Sequence, residues 1–384
     1  MHVTTFLHKV LGSVTHKSRL NMLAPILTAL IKMKAMTLTK LGRALELPIQ
    51  ERSGIRKIDR FLSNIYFQTR SIDIYTKITQ WVIGKNLRPQ IIVDWTKLPN
   101  SENYALRASL IAVGRAITLY EEVHPKKKEG NSKVHNRFLD RLNSMLSQDC
   151  QPIIITDAGF KNPWFRKVLK LEWDFIGRVR GETKYKTQDG WAFCHALHKK
   201  ATRIPQYLGE KILSKSSGLS MAFYIVKNKI KGRKKLTKAK KVCKDKDSKN
   251  HSRSYREPWL LVSSIKGKAA AKIIVALYAR RMTIEEGFRD LKSSKYGFNM
   301  EENKTLRPGR LTVWLLLAAL ACLFAWIIGR TAEALNLHYQ FQANSIRHRR
   351  VLSFFYLGCQ IIRKNIKIPI DLSNISYVDT EICI

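Results

Sequence analysis

The sequence predicts an α/β fold, and three observations predict it. Two short apolar runs, Gln90-Ile-Ile-Val-Asp94 and Pro152-Ile-Ile-Ile-Thr-Asp157, each stop on an aspartate. Such runs read as buried strands that deliver a carboxylate at their C-terminal ends. A later stretch, Tyr278 to Lys292 (YARRMTIEEGFRDLK), carries its apolar residues at helical spacing. Helical, strongly basic segments flank the whole.

Residues 1–85 read as a helical domain. Ser18 to Met33 is amphipathic, Thr37 stands as the cap of a helix over 38–45, and Ile55 to Asn64 follows. Two short helices around a turn, with Lys40, Arg43, Arg52, Arg56, Lys57 and Arg60 beside them, have the outline of a helix-turn-helix reader of DNA. The plainer reading is a helical cap on the next domain.

Residues 86–181 read as the first part of a core. After the strand that ends on Asp94, Leu106 to Val113 and Ile117 to Val123 are strands that turn at Gly114-Arg115. A basic loop from Pro125 leads to a helix over Lys133 to Leu146. The strand ending on Asp157 comes next, then a helix over Pro163 to Leu171 and a strand over Trp173 to Arg180. Arg178 and Arg180 on that strand are DNA-binding candidates. Three strands, a helix, a strand, a helix and a strand is the order of a ribonuclease-H-like fold. In that order the first and fourth strands are neighbours, which sets Asp94 beside Asp157. A single Asp after a strand is often a turn or cap residue; two in this order, before the later helix, point to a site.

Residues 182–258 interrupt the core with a β-rich, basic insertion. Strands are expected within 191–213 and 220–227. The run 227–256 carries fourteen Lys plus Arg against two Asp, so it reads as a solvated segment that can also hold a DNA backbone.

Residues 259–310 return to the core through Trp259-Leu-Leu-Val-Ser-Ser and one helix from about Lys272 to Lys295. At about 100° per residue, Arg281, Glu285 and Lys292 fall about 300°, 340° and 320° from Tyr278, on one stripe. Ile273, Leu277, Ile284, Phe288 and Leu291 make the buried face. Glu286 and Asp290 point away, so Glu285 is the working carboxylate of the helix. Without partners elsewhere in the chain, the same stripe reads as ion pairs on a solvated helix.

Residues 311–384 open with LTVWLLLAALACLFAWIIG, uncharged from Leu311 to Gly329 and long enough to span a membrane. It stands alone and follows the acidic helix closely, so a core helix is expected and no membrane. Arg330 to Asn336 and Ser345 to Lys364 read as helical. Arg347, Arg349, Arg350, Arg363 and Lys364 there form a solvated face or one that touches DNA or a second subunit.

Composition narrows the function. The formal net charge is +40, from 69 Lys plus Arg against 29 Asp plus Glu, a field that favours a polyanion. The 45% apolar content is enough for a real core, unlike a merely basic ribosomal chain. Six scattered cysteines lack C-x-x-C spacing, so a zinc knuckle or disulfide frame is not suggested and a reducing cytosol fits. No signal-peptide pattern opens the chain. No Walker loop, dinucleotide fingerprint, HExxH or GxSxG motif supports nucleotide-driven, zinc or serine chemistry.

Asp94, Asp157 and Glu285 form an oxygen-only set, suited to two Mg²⁺ ions, with Mn²⁺ able to substitute. Two such ions support in-line phosphoryl transfer without a protein nucleophile. Arg281 and Lys292 are placed to grip flanking phosphates, and Tyr278 to donate to one or to stack.

The spacing Tyr278-x2-Arg281-x3-Glu285-x6-Lys292, with the phrases VDW at Asp94 and TDAGF at Asp157, resembles the DDE transposases of the IS-four group of bacterial insertion sequences, the Tn-ten-like ones especially. The resemblance implies an end-binding N-terminal domain, a β-strand insertion at 182–258 and an apolar run after the acidic helix. It implies double-stranded DNA partners: the terminal inverted repeats of the element, held by a homodimer, and target DNA. Nicking, hairpin formation, hairpin opening and strand transfer are the implied steps, in the bacterial cytoplasm at the nucleoid. An aromatic residue that flips a base corresponds to Trp259, and Met282 stands where some relatives carry a second Trp. Two other readings remain: a DNA-binding relative whose nuclease is inert, and a membrane-associated basic protein.

Overall fold

The computed structural model describes residues 2–228, 241–243, 245, 257–343 and 345–372. Most of the 227–256 charge run and the end of the chain therefore lie outside the described residues. The fold is mixed α/β and divides into two units. The first is Met1–Cys150 with Met282–Glu381, and the second is built on Gln151–Arg281.

The first unit opens with helices α1 (His2–Leu11), α2 (Lys17–Met33), α3 (Leu38–Arg43), α4 (Glu51–Leu62), α5 (Ile65–Thr69) and α6 (Ser71–Ile83). Helices α3 and α4 touch backbone to backbone: a Cβ on Gly42 would stand 2.5 Å from Ile55 Cα. Only glycine permits that approach. Thr37 does not cap α3 as expected; its side chain makes no capping bond, and its hydroxyl is buried without a partner. Three antiparallel strands follow, β1 (Gln90–Lys97), β2 (Asn103–Ala112) and β3 (Arg115–Pro125), then helix α7 (Ser132–Met145). Gly114 turns the β2–β3 hairpin with φ +70°. Strand β1 runs past Asp94 because residues 94–97 pair with Arg107 to Tyr104 of β2. Asp94 thus stands within a strand and not at its end, as the apolar run had suggested.

The second unit begins with β4 (Ile153–Thr156), helix α8 (Asn162–Lys170) and β5 (Asp174–Val179), which pairs parallel with β4. Strands β6 (Lys184–Thr187), β7 (Gly190–Phe193), β8 (Gln206–Leu213) and β9 (Leu219–Val226) form the β-rich segment. Strand β10 (Trp259–Ser263) pairs antiparallel with both β5 and β9, so that segment extends the sheet of its unit. Helix α9 (Ala271–Ala279) closes the unit.

The expected single helix over 272–295 is two helices. Arg280 and Arg281 donate to Leu277 and Tyr278, three residues back, so α9 tightens and stops. The first unit resumes with α10 (Met282–Lys292), α11 (Pro308–Ala334) and α12 (Phe354–Arg363). In α10, Ile284, Phe288 and Leu291 are buried as the periodicity predicts.

Helix α11 is the core of the first unit. Its most apolar window has a mean hydropathy of 2.6 and is 89% buried, so the protein itself covers the surface that a membrane would. Gly329 lies against the Phe354 carbonyl and Gly358 against that of Ala325, which seats α12 directly on α11. Trp326 donates its indole N–H to the Val113 carbonyl at 3.1 Å, tying α11 to the hairpin. The expected helix over 345–364 begins only at Phe354, where the Ser353 hydroxyl accepts from Tyr356 N–H.

Candidate functional site

In the first unit the site is built on β1 and α10. Asp94 is half-buried, and its Oδ1 accepts from the Trp95 N–H at 2.9 Å. Two residues on, Thr96 Oγ1 accepts from Lys292 Nζ at 2.5 Å, which fastens the C-terminal end of α10 to β1. Burial, and then the Arg107 charge, push the Lys292 ammonium down to about 8, with Asp94 opposing. Glu285 is exposed in the first turn of α10, where the helix dipole favours a carboxylate.

The other two acids of α10 are engaged elsewhere. Arg115 holds Glu286 through Nη1 and Asp290 through Nε, each at 2.8 Å. Asp290 is buried, and burial raises its carboxyl above the usual range while Arg115 pulls it back. It points away from the stripe of Glu285, as expected, but into protein.

A row of charges lies under α10. Asp94, Arg107 and Glu121 are cross-strand neighbours on β1, β2 and β3. Arg107 is buried and gives Nε and Nη2 to Glu121 Oε2, at 2.8 and 2.7 Å. Tyr75 donates its hydroxyl to the other Glu121 oxygen at 3.1 Å. The sequence reading missed this pair. The signal available was an arginine inside the apolar strand Leu106 to Val113 and a glutamate inside the next strand.

Trp95 gives its indole N–H to His135 Nε2 at 3.0 Å and packs against His124. Burial, and then His124, push His135 down to about 4, which keeps it neutral and able to accept. Glu122 is desolvated, yet bonds from His124, Tyr120 and Arg141 outweigh that and hold its carboxyl at about 2.

In the second unit Asp157 follows β4, as expected, and its Oδ1 accepts from Gly159 N–H at 2.8 Å. Tyr278 is buried, with the Trp259 ring edge-on to it at 5.0 Å and 77°. Burial raises the Tyr278 hydroxyl; Arg281 and Arg178 draw it down, and Asp157 pushes it up. Those three side chains therefore share one electrostatic neighbourhood with Tyr278. Burial lowers Arg178 below the usual arginine range, and its Nε and Nη2 are buried without hydrogen-bond partners. Arg180 pairs with Glu257 at 3.2 Å. A cleft of about 830 Å³ beside them is lined by Lys161, Arg178, Arg180, Lys184 and Lys215.

In the N-terminal helices, Lys40 pairs with Glu302 at 2.5 Å and Arg43 with Glu51 at 3.3 Å. Arg56 and Arg60 are exposed on α4, and Lys57 is half-buried. Near the end of the chain Arg350 is structural, bound to Glu333 at 2.7 Å and stacked on Phe354.

Asp94 and Glu285 in the first unit and Asp157 in the second each offer carboxylate oxygens, donors of the hard class that divalent cations take. Among the described residues, no group of three or more His, Cys, Asp or Glu is gathered to hold a metal.

A family model described as a transposase DDE domain matches residues 85–324, more than half of the chain and the span that carries all three acids. No curated protein matches the chain. The family comprises nuclease and transferase enzymes that act on DNA and normally use divalent metals. On that match the chain belongs to the DDE transposase family.

Proposed function

We propose that the chain is the cut-and-paste transposase of a bacterial insertion sequence of the IS-four group, similar to the Tn-ten-like enzymes. One observation carries the reading: the matched DDE domain spans Asp94, Asp157 and Glu285 together with Tyr278, Arg281 and Lys292. Its core is then ribonuclease-H-like, with a β-rich insertion between the second and third acids. Working in the cytoplasm at the nucleoid, a homodimer would hold the two terminal inverted repeats of its element. Nicking, hairpin formation, hairpin opening and joining to target DNA would follow.

Asp94, Asp157 and Glu285 would hold two Mg²⁺ ions, which when bound activate a hydroxyl and stabilise the leaving oxygen of an in-line transfer. The chain's other residues bind and orient DNA. Arg281 and Lys292 grip phosphates that flank the scissile one. Arg178, whose buried Nε and Nη2 lack partners, meets a phosphate oxygen there. Tyr278 backs the Trp259 ring, whose face receives a base turned out of the duplex. Arg56, Lys57 and Arg60 on α4, with Lys40 and Arg43 released from their weak surface pairs, contact the element's ends. The test is metal-dependent nicking of DNA that carries the short inverted repeats flanking the coding region. Binding without cutting would leave an inert relative.

A further inference from the structure

We propose that Arg107 is a positioning residue for the acidic site: it fixes the rotation and height of α10 over β1, and so the places of Glu285 and Lys292 relative to Asp94. The inference rests on the transposase reading and concerns a residue outside the three acids and their basic stripe.

The geometry comes from one buried side chain with three separate contacts. Arg107 spends Nε and Nη2 on Glu121, which is itself held by Tyr75. Both nitrogens converge on one buried carboxylate oxygen, which anchors the guanidinium by its Nε–Nη2 edge at Glu121. The anchored guanidinium carbon then lies 4.9 Å from the centre of the Phe288 ring of α10. Lys292 Nζ approaches the same ring at 5.6 Å while it donates to Thr96. The Phe288 ring thus meets two cations, one fixed to β3 and one fixed to β1. A Cβ added to Gly287 would stand 4.0 Å from Arg107 Nη1 and 3.9 Å from the Ala116 carbonyl, so the guanidinium also lies near the backbone of α10. Gly287 and Phe288 are two and three residues from Glu285, so whatever sets their position sets that of the carboxylate.

Stability alone does not explain the pair. The Arg107 and Glu121 side chains are 5% and 1% exposed. A buried ion pair can often be replaced by packed apolar residues with no loss of stability. What apolar replacements cannot supply is a rigid fork that registers a helix against a strand. Arg107 is also the cross-strand neighbour of Asp94, so the same strand geometry serves both carboxylates.

The test uses the full chain with the double substitution Arg107→Met and Glu121→Leu, which removes the charges and keeps much of the volume. Gel-shift on end DNA is expected to stay as in the wild type and unfolding to stay cooperative, with the melting point lowered only by the Tyr75 hydroxyl that loses its acceptor. Nicking is expected to fall about a hundredfold, as for a small misplacement of reacting groups. The Mn²⁺ concentration that half-saturates the protein–DNA complex, read by electron paramagnetic resonance, should rise about tenfold. A double variant that nicks normally with unchanged Mn²⁺ binding overturns the proposal. If the double variant unfolds, Arg107→Lys decides. It keeps the charge but not the two-nitrogen grip, so its nicking should stay about tenfold or more below wild type. Wild-type nicking in that variant overturns the proposal. A wild-type chain that fails to nick brings down the transposase reading itself, whereas unchanged variants beside an active wild type refute only the role of Arg107.

Discussion

Arg115 Nε lies 2.8 Å from Asp290 Oδ2, and the same guanidinium holds Glu286. Two of the three acids of α10 are therefore spent on the hairpin that carries Arg115. Glu286→Ala should cut DNA like the wild type, and Glu285→Ala should bind end DNA and not cut it. Asp290→Ala removes a buried partner and should lower stability by about 2 kcal/mol. Parallel cleavage and denaturation assays separate the three. Normal cutting by Glu285→Ala beside a dead but folded Glu286→Ala would reverse the assignment.

Lys292 keeps its charge against burial, at a cost to folding. Its ammonium titrates at about 8 in the folded chain against an ordinary 10.5. The unfolded chain therefore binds more protons between those values, and stability rises with pH there. Below about 8 the penalty is fully present, on the order of 3 kcal/mol. Lys292→Met should accordingly melt higher at pH 7, with the gain fading above pH 10, while DNA cutting drops. A variant that is destabilised at pH 7 would count against this.

Acid should loosen the first unit in two stages. His135 is neutral in the folded chain down to about 4, against an ordinary 6.5, so its contribution is present above 6.5 and lost as pH falls toward 4. Glu122, held at about 2 against 4.5, loses its contribution only below 4.5. Between pH 7 and pH 5 the wild type should lose about 2 kcal/mol through His135. Urea melts at the two pH values measure this, and His135→Gln should flatten the difference. An equal loss in that variant would assign the effect to other groups.

Trp259 stands edge-on to buried Tyr278 and is itself half-buried, a setting for a platform as much as for a core residue. Trp259→Ala should nick nearly normally and form hairpins about ten- to a hundredfold more slowly, the loss expected from one stacked base. An abasic nucleotide at the flipped position should restore the rate. Nicking and hairpinning lost together, with no rescue, would make Trp259 a core residue only.

Much of this was legible in the sequence. Strands β1, β4 and β5 announce themselves as apolar runs, and the spacing from Tyr278 to Lys292 marked the residues of interest. Helix α11, long and apolar enough to span a membrane, read as core because it stands alone and closely follows the acidic helix. Local pattern could not show that the helix breaks at Arg280-Arg281, since neither residue is a breaker and the stop is made by two tightened backbone bonds. Nor could it place Asp94 inside its strand, because residues 94–97 are held by pairing to a strand ten residues away. The Arg107–Glu121 pair and the double grip of Arg115 are likewise contacts between residues far apart in the chain. Neither contact leaves a local pattern in the sequence.

The most direct measurement is a Mg²⁺-dependent nicking assay on a duplex ending in the element's inverted repeat, run beside a gel-shift on the same DNA. The wild-type chain is expected to nick at the element's end only when Mg²⁺ is supplied. Asp94→Ala, Asp157→Ala and Glu285→Ala should each bind that DNA as the wild type does and leave it uncut. A wild-type chain that binds but never nicks, or any of the three variants cutting at the wild-type rate, would contradict the three-carboxylate site.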